Sequence, residues 1–333
     1  MGAKCRNRTT RGATFGQQDM KTLPFITAAN ISPDYGWRTA VAAIEDGHRK
    51  SKPQLGDTFL KNDSDTLLSR SAWINGLGAG VKSVTVRPKN SSRGRPTVQG
   101  AMLLFDDETG ACIAVMDSDL VTYWKTAADS ALAMDRLAHA EAKTLVVIGT
   151  GTVAQSLIAA HTAIRPALSR VIIAGRRLEA AQKIATAVKT KDRLCEATTD
   201  IPGAVRQADI VCTATTSCDP VLRGEWVKPG THCDLVGAFR ADMREADDVL
   251  LQNSDIWVDC RETTLDHIGE LLIPLQNRTI MARDIAGDFY DLIPQTGRAK
   301  TTTARRTTVF KNGGGAHLDV MIARSLFAYT DHF

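Results

Sequence analysis

The pattern of apolar and polar positions is most regular between residues 143 and 164. Four consecutive apolar residues, Leu145 to Ile148, predict a buried strand. A turn that contains two glycines, Gly149 to Thr152, follows directly, and Val153 and Leu157 then begin an apolar stripe with helical spacing. The stretch therefore predicts a strand, a tight turn and a helix in immediate succession.

This predicted turn has the chemistry of a pyrophosphate site. Backbone N–H groups at the N-terminus of a helix point at an anion, and the helix dipole favours negative charge there. Gly149 permits the turn, Gly151 allows a phosphate to approach the backbone, and Ala154 is the small residue needed where the helix touches the strand. Because a strand and a helix flank the G-x-G-x-x-A motif, we expect a dinucleotide site here.

The first 120 residues lack this alternation of strands and helices. A helix is predicted after Ser32-Pro33. Two strands, residues 99–105 and 112–116, are separated by a polar turn, and an amphipathic helix over residues 120–139 then leads into the dinucleotide region. The chain thus predicts a mixed α+β domain followed by an α/β domain.

The composition is that of an ordinary globular protein. Hydrophobic residues make up 43% and charged residues 23% of the 333 residues, and no apolar run is long enough to span a membrane. The net charge of +4 is mild and aromatic residues are only 5%, which argues against nucleic acid as a partner. The seven cysteines form no C-x-x-C pair and the seven histidines form no metal-ligand pattern. We expect reduced thiols, no metal and a cytoplasmic location.

The N-terminal segment, residues 1–19, carries four basic residues, no acidic residue before Asp19 and no hydrophobic core of a secretory signal. An Arg-rich, acid-poor start is also typical of a transit peptide, but this segment lacks an amphipathic period. We predict a disordered leader, with Met20 as the functional beginning of the chain.

The residues after the next predicted strand indicate which nicotinamide cofactor is used. Apolar residues 171–174 are followed by Gly175, Arg176 and Arg177, where an NAD-specific fold would carry an acidic residue for the ribose 2′-hydroxyl. Paired guanidinium groups can bind a 2′-phosphate through charge-assisted hydrogen bonds. The alternative is that both arginines only open a solvated helix. We expect NADPH, with NADH possible.

Three cationic residues of the first domain lie among apolar positions. Arg70 and Lys82 are in strand-like runs, and Lys125 is in the helix that precedes the glycine turn. Any single cation in such a setting is usually an exposed charge or a structural ion pair. Composition alone therefore assigns them no function.

A resemblance to a known family does assign one. The segments GVKSVTVRPKN, DSDLVTYWKTAADSALA, VIGTGTVAQ, KPGTHCDLVGAFRADMREADDVLL and TVFKNGGGAHLD are similar, in this order, to the ornithine cyclodeaminase and mu-crystallin family, over about residues 30–330. The resemblance implies a homodimer of the α/β class. It implies a central Rossmann-type doubly wound domain, residues 138–283, and an α+β substrate-binding and dimerisation domain built from residues 20–137 and 284–333, whose sheet the C-terminal segment completes.

The family's motifs also imply site residues. Lys82 matches the substrate lysine, Thr97 a threonine near the nicotinamide, and Lys125 a helix arginine, here in K-T-A in place of R-T-A. Lys125 keeps the charge but not the bidentate fork, and it is expected to contact both substrate and cofactor. Asp319 and Glu270 match family positions too, but each is explained as a cap or turn carboxylate. The same register implies cofactor contacts at Thr152, Val153, Thr215, Val236, Gly237, Ala238 and Asn312.

Two departures from the family pattern bear on the reaction. Ornithine cyclodeaminases carry an aspartate in a V-G-x-D pattern, and Phe239 stands at that position here. Without the carboxylate nothing would deprotonate the distal amine of ornithine, whereas an apolar ring suits a cyclic imine. The family's early substrate arginine falls near Leu55, and Arg70 replaces a residue of the usual M-P pair, so we expect Arg70 to supply the missing guanidinium.

The segments LLSRSAWI, TYWKTAADSALA and VGAFRADMRE most resemble the bacterial Δ1-pyrroline-2-carboxylate reductases of this family. That resemblance implies NAD(P)H-dependent reduction of a cyclic imino acid, in proline metabolism and hydroxyproline degradation, with L-proline or its homologue L-pipecolate as product. Arg70, Lys82 and Lys125 would neutralise the substrate carboxylate, and Lys82 is the expected proton donor. A cyclodeaminase and a non-catalytic NADPH-binding protein of the crystallin type stay open as alternatives.

Overall fold

The computed structural model describes residues 22–294 and 306–330 of the chain. The predicted leader and Met20 lie outside these ranges. The strands are β1 (Phe25–Ile26), β2 (Gln54–Asn62), β3 (Asp65–Ile74), β4 (Gly78–Val86), β5 (Val98–Phe105), β6 (Cys112–Asp117), β7 (Thr144–Ile148), β8 (Arg170–Ala174), β9 (Leu194–Thr198), β10 (Ile210–Thr213), β11 (His232–Leu235), β12 (Ser254–Val258), β13 (Ile285–Gly287) and β14 (Thr307–Lys311). The α-helices are α1 (Trp37–His48), α2 (Ser118–Leu137), α3 (Thr152–Ile164), α4 (Leu178–Ala187), α5 (Ile201–Val205), α6 (Asp248–Gln252), α7 (Arg261–Thr264), α8 (Gly269–Gln276), α9 (Phe289–Leu292) and α10 (Ala316–Ala328).

The N-terminal half forms a six-stranded sheet in the order β1-β6-β5-β4-β3-β2. Its strands are antiparallel except for the short parallel pair of β1 and β6. Side chains alternate between the two faces of a strand, so Ala72, Met102 and Leu104 point into the core while their sequence neighbours point away. Helix α10 packs against β3 and β4, and the predicted α+β domain is confirmed.

The eight-stranded sheet has the order β13-β12-β14-β11-β10-β7-β8-β9, and its strands are parallel. In β7, Leu145 and Val147 join one hydrophobic cluster, whereas Val146 and Ile148 join another on the opposite face. Parallel sheets are covered on both faces in this way, which is why β7 reads as a continuous apolar run. The predicted Rossmann-type doubly wound domain is therefore confirmed.

The last two strands differ from the expectation that the C-terminal segment completes the first sheet. Strand β14 pairs in parallel with both β11 and β12, and all five of its residues are buried. Such a strand needs cover on both faces, which the eight-stranded sheet provides. Strand β13 pairs with β12 in the same sheet, and the helix that follows β14, α10, packs against the six-stranded sheet.

Helix α2 connects the two sheets, and it carries Lys125. It begins after Asp117, whose carboxylate accepts a hydrogen bond of 2.9 Å from the Asp119 N–H. Helices α1, α3 and α10 all pack against it. Although α2 has 20 residues, neither it nor any other helix in the described ranges is both long enough and apolar enough to cross a membrane.

The cysteines of the described ranges are free thiols. Cys212, Cys233 and Cys260 are buried as expected of core thiols, whereas Cys218 is exposed. Burial raises the pKa of the Cys260 thiol to about 12, which keeps it protonated at neutral pH.

Candidate active site

The glycine turn between β7 and α3 has the predicted geometry. Gly149 has a φ of 136°, and a Cβ atom there would lie 2.4 Å from the Ala214 carbonyl oxygen, so only glycine fits. A Cβ atom on Gly151 would meet nothing within 4 Å, which leaves open space next to the helix N-terminus. Thr152 and Val153 form the first turn of α3, and Val153 is 37% exposed. This turn can hold the pyrophosphate of a nicotinamide cofactor.

Arg176 and Arg177 follow the end of β8, at the same edge of the sheet. Both side chains are exposed, and neither forms an ion pair with another described residue. Arg177 is the residue immediately before α4. Both guanidinium groups are therefore available to an anionic ligand at the carboxyl end of the sheet, where ligands of open α/β sheets bind.

The ends of β10 and β11 are joined by Glu245, a buried carboxylate that the sequence analysis did not single out. It accepts hydrogen bonds from the N–H and the hydroxyl of Thr215, both at 2.7 Å, and from the Gly237 N–H at 2.6 Å. The Thr213 hydroxyl donates to it at 2.7 Å. Glu245 thus fixes the two loops that carry the predicted cofactor residues Thr215 and Val236 to Ala238.

Glu270 supports this arrangement one step further from the site. Its carboxylate accepts hydrogen bonds of 2.9 Å from the N–H groups of Glu245 and Ala246. Burial raises the pKa of Glu270 to about 7, with Lys311 opposing the shift. The structure therefore gives Glu270 a role beyond a local turn, because it holds the backbone of the residue that joins β10 to β11.

The loop after β14 is held by Asn312 and by a further carboxylate, Asp259. The Asn312 amide donates to the Thr126 carbonyl and to the Ser130 hydroxyl, each at 3.0 Å, and so joins the loop to α2. Asp259 accepts from the N–H groups of Gly313 at 3.1 Å and Gly314 at 2.7 Å. These contacts fix the Gly314 carbonyl, which two of the predicted substrate residues contact.

Arg70 and Lys82 are brought together by the register of β3 and β4, where they lie directly opposite each other. Lys82 is only 7% exposed, and its ammonium group donates to the Asp319 carboxylate at 2.6 Å and to the Thr122 hydroxyl at 3.3 Å. Arg70 donates to the Gly314 carbonyl at 3.0 Å and to the Asp57 carboxylate at 3.0 Å. The predicted position of Arg70 beside Lys82 is thus what the strand pairing produces.

Lys125 reaches the same place from α2. Its Nζ donates to the Gly314 carbonyl oxygen at 2.6 Å and lies 3.3 Å from Oδ1 of Asp319, the oxygen that Lys82 also contacts. We call Arg70, Lys82 and Lys125 the cation cluster. Asp319, which the sequence explains as a cap or turn carboxylate, is the counter-ion shared by both lysines.

The electrostatics of the cation cluster favour an anionic ligand. Three cations face two carboxylates, Asp57 and Asp319, which leaves one positive charge in excess. Burial opposes ionisation of Asp319, but Lys125 and Lys82 outweigh it, and the pKa of Asp319 is lowered. Burial also lowers the pKa of Lys125 to about 8, although Asp319 counteracts the shift. A substrate carboxylate would neutralise the excess charge.

Phe239 lies just beyond the end of β11, as the resemblance implied. Its ring is 57% exposed, and the Arg240 guanidinium lies 5.5 Å from the ring centroid. In the single chain the Phe239 ring is therefore largely exposed to solvent and does not form the closed apolar wall of a pocket. That it lines the substrate pocket stays a prediction.

A cavity of about 510 Å³ lies on the β2 side of the six-stranded sheet, and its lining includes Asp57 but none of Arg70, Lys82 and Lys125. Leu55, Asp57 and His267 line it, together with Ala316 at the start of α10. Leu55 is the position where the family's early arginine falls, and Asp57 is the partner of Arg70.

Thr97 is the one predicted site residue that the strand register separates from the cluster. Its carbonyl accepts a hydrogen bond of 2.7 Å from the Arg87 N–H, and Val98 pairs with Val86. Lys82 pairs with Met102 instead, so five residues separate Lys82 from Arg87, or about 16 Å along an extended strand. The contact of Thr97 with the nicotinamide stays a prediction.

The structure also gathers His161, Cys212 and Asp234, whose ligand atoms lie within 4.8 Å of one another in the described core. The sequence showed no such cluster because the three residues come from three different elements. Nδ1 of His161 lies 2.8 Å from the Leu157 carbonyl, and Nε2 lies 3.4 Å from the Cys212 sulfur. Burial lowers the pKa of His161 to about 4, so a neutral hydrogen-bonded core accounts for the arrangement.

The chain matches one known protein family over most of its length. Residues 39–330 match the profile of the "Ornithine cyclodeaminase/mu-crystallin family". A Δ1-pyrroline-2-carboxylate reductase of Paracoccus denitrificans is 48% identical over 299 residues, which cover 90% of this chain and 94% of that protein.

Solved structures share the whole architecture. Thermococcus litoralis Δ1-pyrroline-2-carboxylate reductase in complex with NADH and L-proline has a TM-score of 0.83 at 25% identity, covering 92% of this chain and 96% of the other. An archaeal alanine dehydrogenase dimer with bound NAD also has a TM-score of 0.83, at 28% identity, covering 92% and 95% of the two chains. Both of these relatives bind a nicotinamide cofactor.

Proposed function

This chain belongs to the ornithine cyclodeaminase/mu-crystallin family, and from that premise we propose that it is an NAD(P)H-dependent reductase of cyclic imino acids. It reduces the C=N bond of Δ1-pyrroline-2-carboxylate and produces L-proline. The six-membered Δ1-piperideine-2-carboxylate, which gives L-pipecolate, is a second substrate. The observation that carries the proposal is the convergence of Arg70, Lys82 and Lys125 on one buried place with a positive charge in excess.

The cation cluster binds and orients the substrate. Arg70 and Lys82 hold the substrate carboxylate, the first through its planar guanidinium and the second as a point charge. A nicotinamide cofactor bound along the carboxyl edge of the eight-stranded sheet supplies the hydride. Because the carboxylate is bonded directly to the imine carbon of a small ring, fixing the former also fixes the latter, and such positioning contributes several kcal/mol to catalysis.

NADPH is the preferred cofactor. Arg176 and Arg177 are exposed at the end of β8 and stand where the 2′-substituent of the adenosine ribose falls in this fold. NADH is accepted more weakly because it lacks the phosphate that these guanidinium groups bind.

The active form is a homodimer. The face of the six-stranded sheet opposite the cation cluster carries exposed apolar side chains, with Leu60 and Trp73 each 59% exposed and Leu103 39% exposed. They share one face of the sheet. Leu60 pairs with Leu67 of β3, and Trp73 lies an even number of residues further along the same strand. Leu103 is opposite Val81, which in turn is opposite Ser71 of β3. A second copy of the chain would cover this face, as exposed apolar patches of this kind usually require.

Light scattering tests the dimer. We expect a mass of twice the 36.0 kDa chain, and a Trp73→Glu variant should shift toward the monomer because it places a charge on the covered face. Val249→Glu, at an exposed apolar position on α6, is the matched control and should stay dimeric. A monomeric wild-type protein would contradict this part of the proposal.

One assay tests the reaction. The wild-type protein is mixed with NADPH or NADH and a panel of cyclic imines, and cofactor oxidation is followed together with L-proline formation. Turnover with Δ1-pyrroline-2-carboxylate is the expected result. Ammonia release from ornithine would identify a cyclodeaminase instead, and cofactor binding without any turnover would identify a binding protein.

A further inference from the structure

The cation cluster contains a lysine at the position where the resemblance implies an arginine. An arginine guanidinium stays protonated in proteins, so it can bind an anion but cannot give up a proton. A lysine ammonium can do both, and its pKa shifts readily on burial. The K-T-A motif therefore adds a second transferable proton to a site that already holds the Lys82 ammonium group.

The two lysines of the cluster have different partners. Lys82 donates to the Asp319 carboxylate at 2.6 Å and to the Thr122 hydroxyl, so it is engaged by a full negative charge at close range. Lys125 donates at 2.6 Å to a neutral carbonyl, that of Gly314, and its distance to Asp319 is longer, at 3.3 Å. Lys125 is the lysine that is held less firmly by a carboxylate.

We propose that Lys125 donates the proton to the imine nitrogen, while Lys82 and Arg70 bind the substrate carboxylate. This inference rests on the proposed reductase function. The Nζ–H bond of Lys125 breaks and an N–H bond forms on the substrate, which becomes an iminium. Hydride addition then forms the C–H bond at C2, the π pair of the C=N bond becomes the lone pair of the amine, and Lys125 is left neutral.

The surroundings of Lys125 allow this cycle. Arg70 from β3 and Lys82 from β4 disfavour its charge, and Asp319 from α10 favours it. Two further titratable groups approach it, Asp129 from α2 itself and His317 from α10, and burial raises the pKa of the Asp129 carboxyl well above its usual value and lowers the pKa of the His317 imidazole well below its usual value, which disfavours the charged form of each. The balance lowers the pKa of Lys125 to about 8, where an amine both holds and releases a proton at neutral pH.

The return of the proton has a route within the same contacts. Oδ1 of Asp319 lies 2.6 Å from Nζ of Lys82 and 3.3 Å from Nζ of Lys125, so one carboxylate oxygen bridges the two amines. A proton can therefore reach neutral Lys125 from Lys82 through Asp319, and Lys82 then takes up a proton from water, which closes the cycle. This assigns Asp319 a positioning role without contact to the substrate.

The test compares Lys125→Arg with the wild-type protein. The variant keeps the positive charge, so L-proline binding measured by calorimetry should change little, whereas kcat should fall by about a hundredfold or more, the usual effect of a lost general acid. The kcat of the wild-type protein should decrease as pH rises through about 8, because the amine loses its proton, and this decrease should be absent in the variant. Lys183→Arg, on the exposed face of α4, is the control.

A second readout does not depend on turnover. In protein labelled with ¹³C at the lysine ε-carbon, one resonance should titrate near pH 8, and it should be missing from Lys125→Arg. If that variant does not fold, Lys125→Met identifies the resonance instead. Wild-type kcat in Lys125→Arg, or the absence of any lysine that titrates near pH 8, overturns the inference. Absence of imine reduction by the wild-type protein would instead contradict the reductase function itself.

Discussion

The carboxyl edge of the eight-stranded sheet, which we call the cofactor edge, and the cation cluster beside the six-stranded sheet differ in the atoms that they offer to a ligand. At the cofactor edge these are backbone N–H groups at the start of α3 and in loops fixed by Glu245. In the cation cluster they are the charged ends of three side chains from β3, β4 and α2. A backbone site depends on the shape of the chain, whereas a side-chain site depends on individual residues.

This difference predicts where single substitutions act most strongly. Loss of one side chain in the cation cluster removes a ligand and leaves its counter-ion unpaired. This loss costs more free energy than the loss of a neutral contact does. At the cofactor edge most side chains can be replaced without a change in the path of the backbone. Three variants test the comparison, and they follow in decreasing order of expected effect.

Lys82→Ala should have the largest effect. It removes the ammonium group that faces the substrate carboxylate and leaves Asp319 with Lys125 as its remaining lysine partner. Turnover of Δ1-pyrroline-2-carboxylate should fall by about a hundredfold or more. Steady-state kinetics measures the effect, with Lys183→Ala as the exposed control, and a near wild-type rate would remove Lys82 from the mechanism.

The double variant Arg176→Ala and Arg177→Ala should act on cofactor choice alone. Two charge-assisted hydrogen bonds to a 2′-phosphate are lost, and at roughly 2 kcal/mol for the pair the preference for NADPH over NADH should drop about 30-fold. The ratio of kcat/KM for the two cofactors measures this. An unchanged ratio would mean that both arginines only solvate the start of α4.

Glu245→Gln should have a smaller effect that is specific to the cofactor. The amide accepts fewer hydrogen bonds than the carboxylate, so the loops of Thr215 and Gly237 loosen, and cofactor affinity should fall about tenfold, equivalent to about 1.4 kcal/mol. Fluorescence titration of NADPH measures it, and KM for the imine should change less. Glu225→Gln is a control outside this network, and equal losses in both variants would refute the positioning role.

The cofactor edge was largely predictable from the sequence because its signals are local. The apolar run of β7, the two glycines and the first turn of α3 follow one another along the chain, and each has a single physical explanation. The same locality allowed Arg176 and Arg177 to be placed at the end of β8. Glu245 was missed because its partners lie up to 32 residues away on two different strands.

The sequence identified the residues of the cation cluster but did not show how they come together in space. Lys82 and Lys125 came from a family resemblance, and Arg70 came from a departure within it. Asp319, the common partner of the two lysines, lies 237 residues after Lys82, and the packing of α10 against β3, β4 and α2 brings them together. Strand β14, expected with the first sheet, pairs with β11 and β12 because all five of its residues are buried and need cover on both faces.

The most direct test of the account is a crystal structure of the protein with NADP⁺ and L-proline bound together. We predict that the proline carboxylate lies within hydrogen-bond distance of the Lys82 ammonium and the Arg70 guanidinium, with the ring nitrogen facing Lys125. A carboxylate bound elsewhere, with Lys82 and Asp319 paired as before and remote from the ligand, would contradict the central claim that the cation cluster is the substrate site.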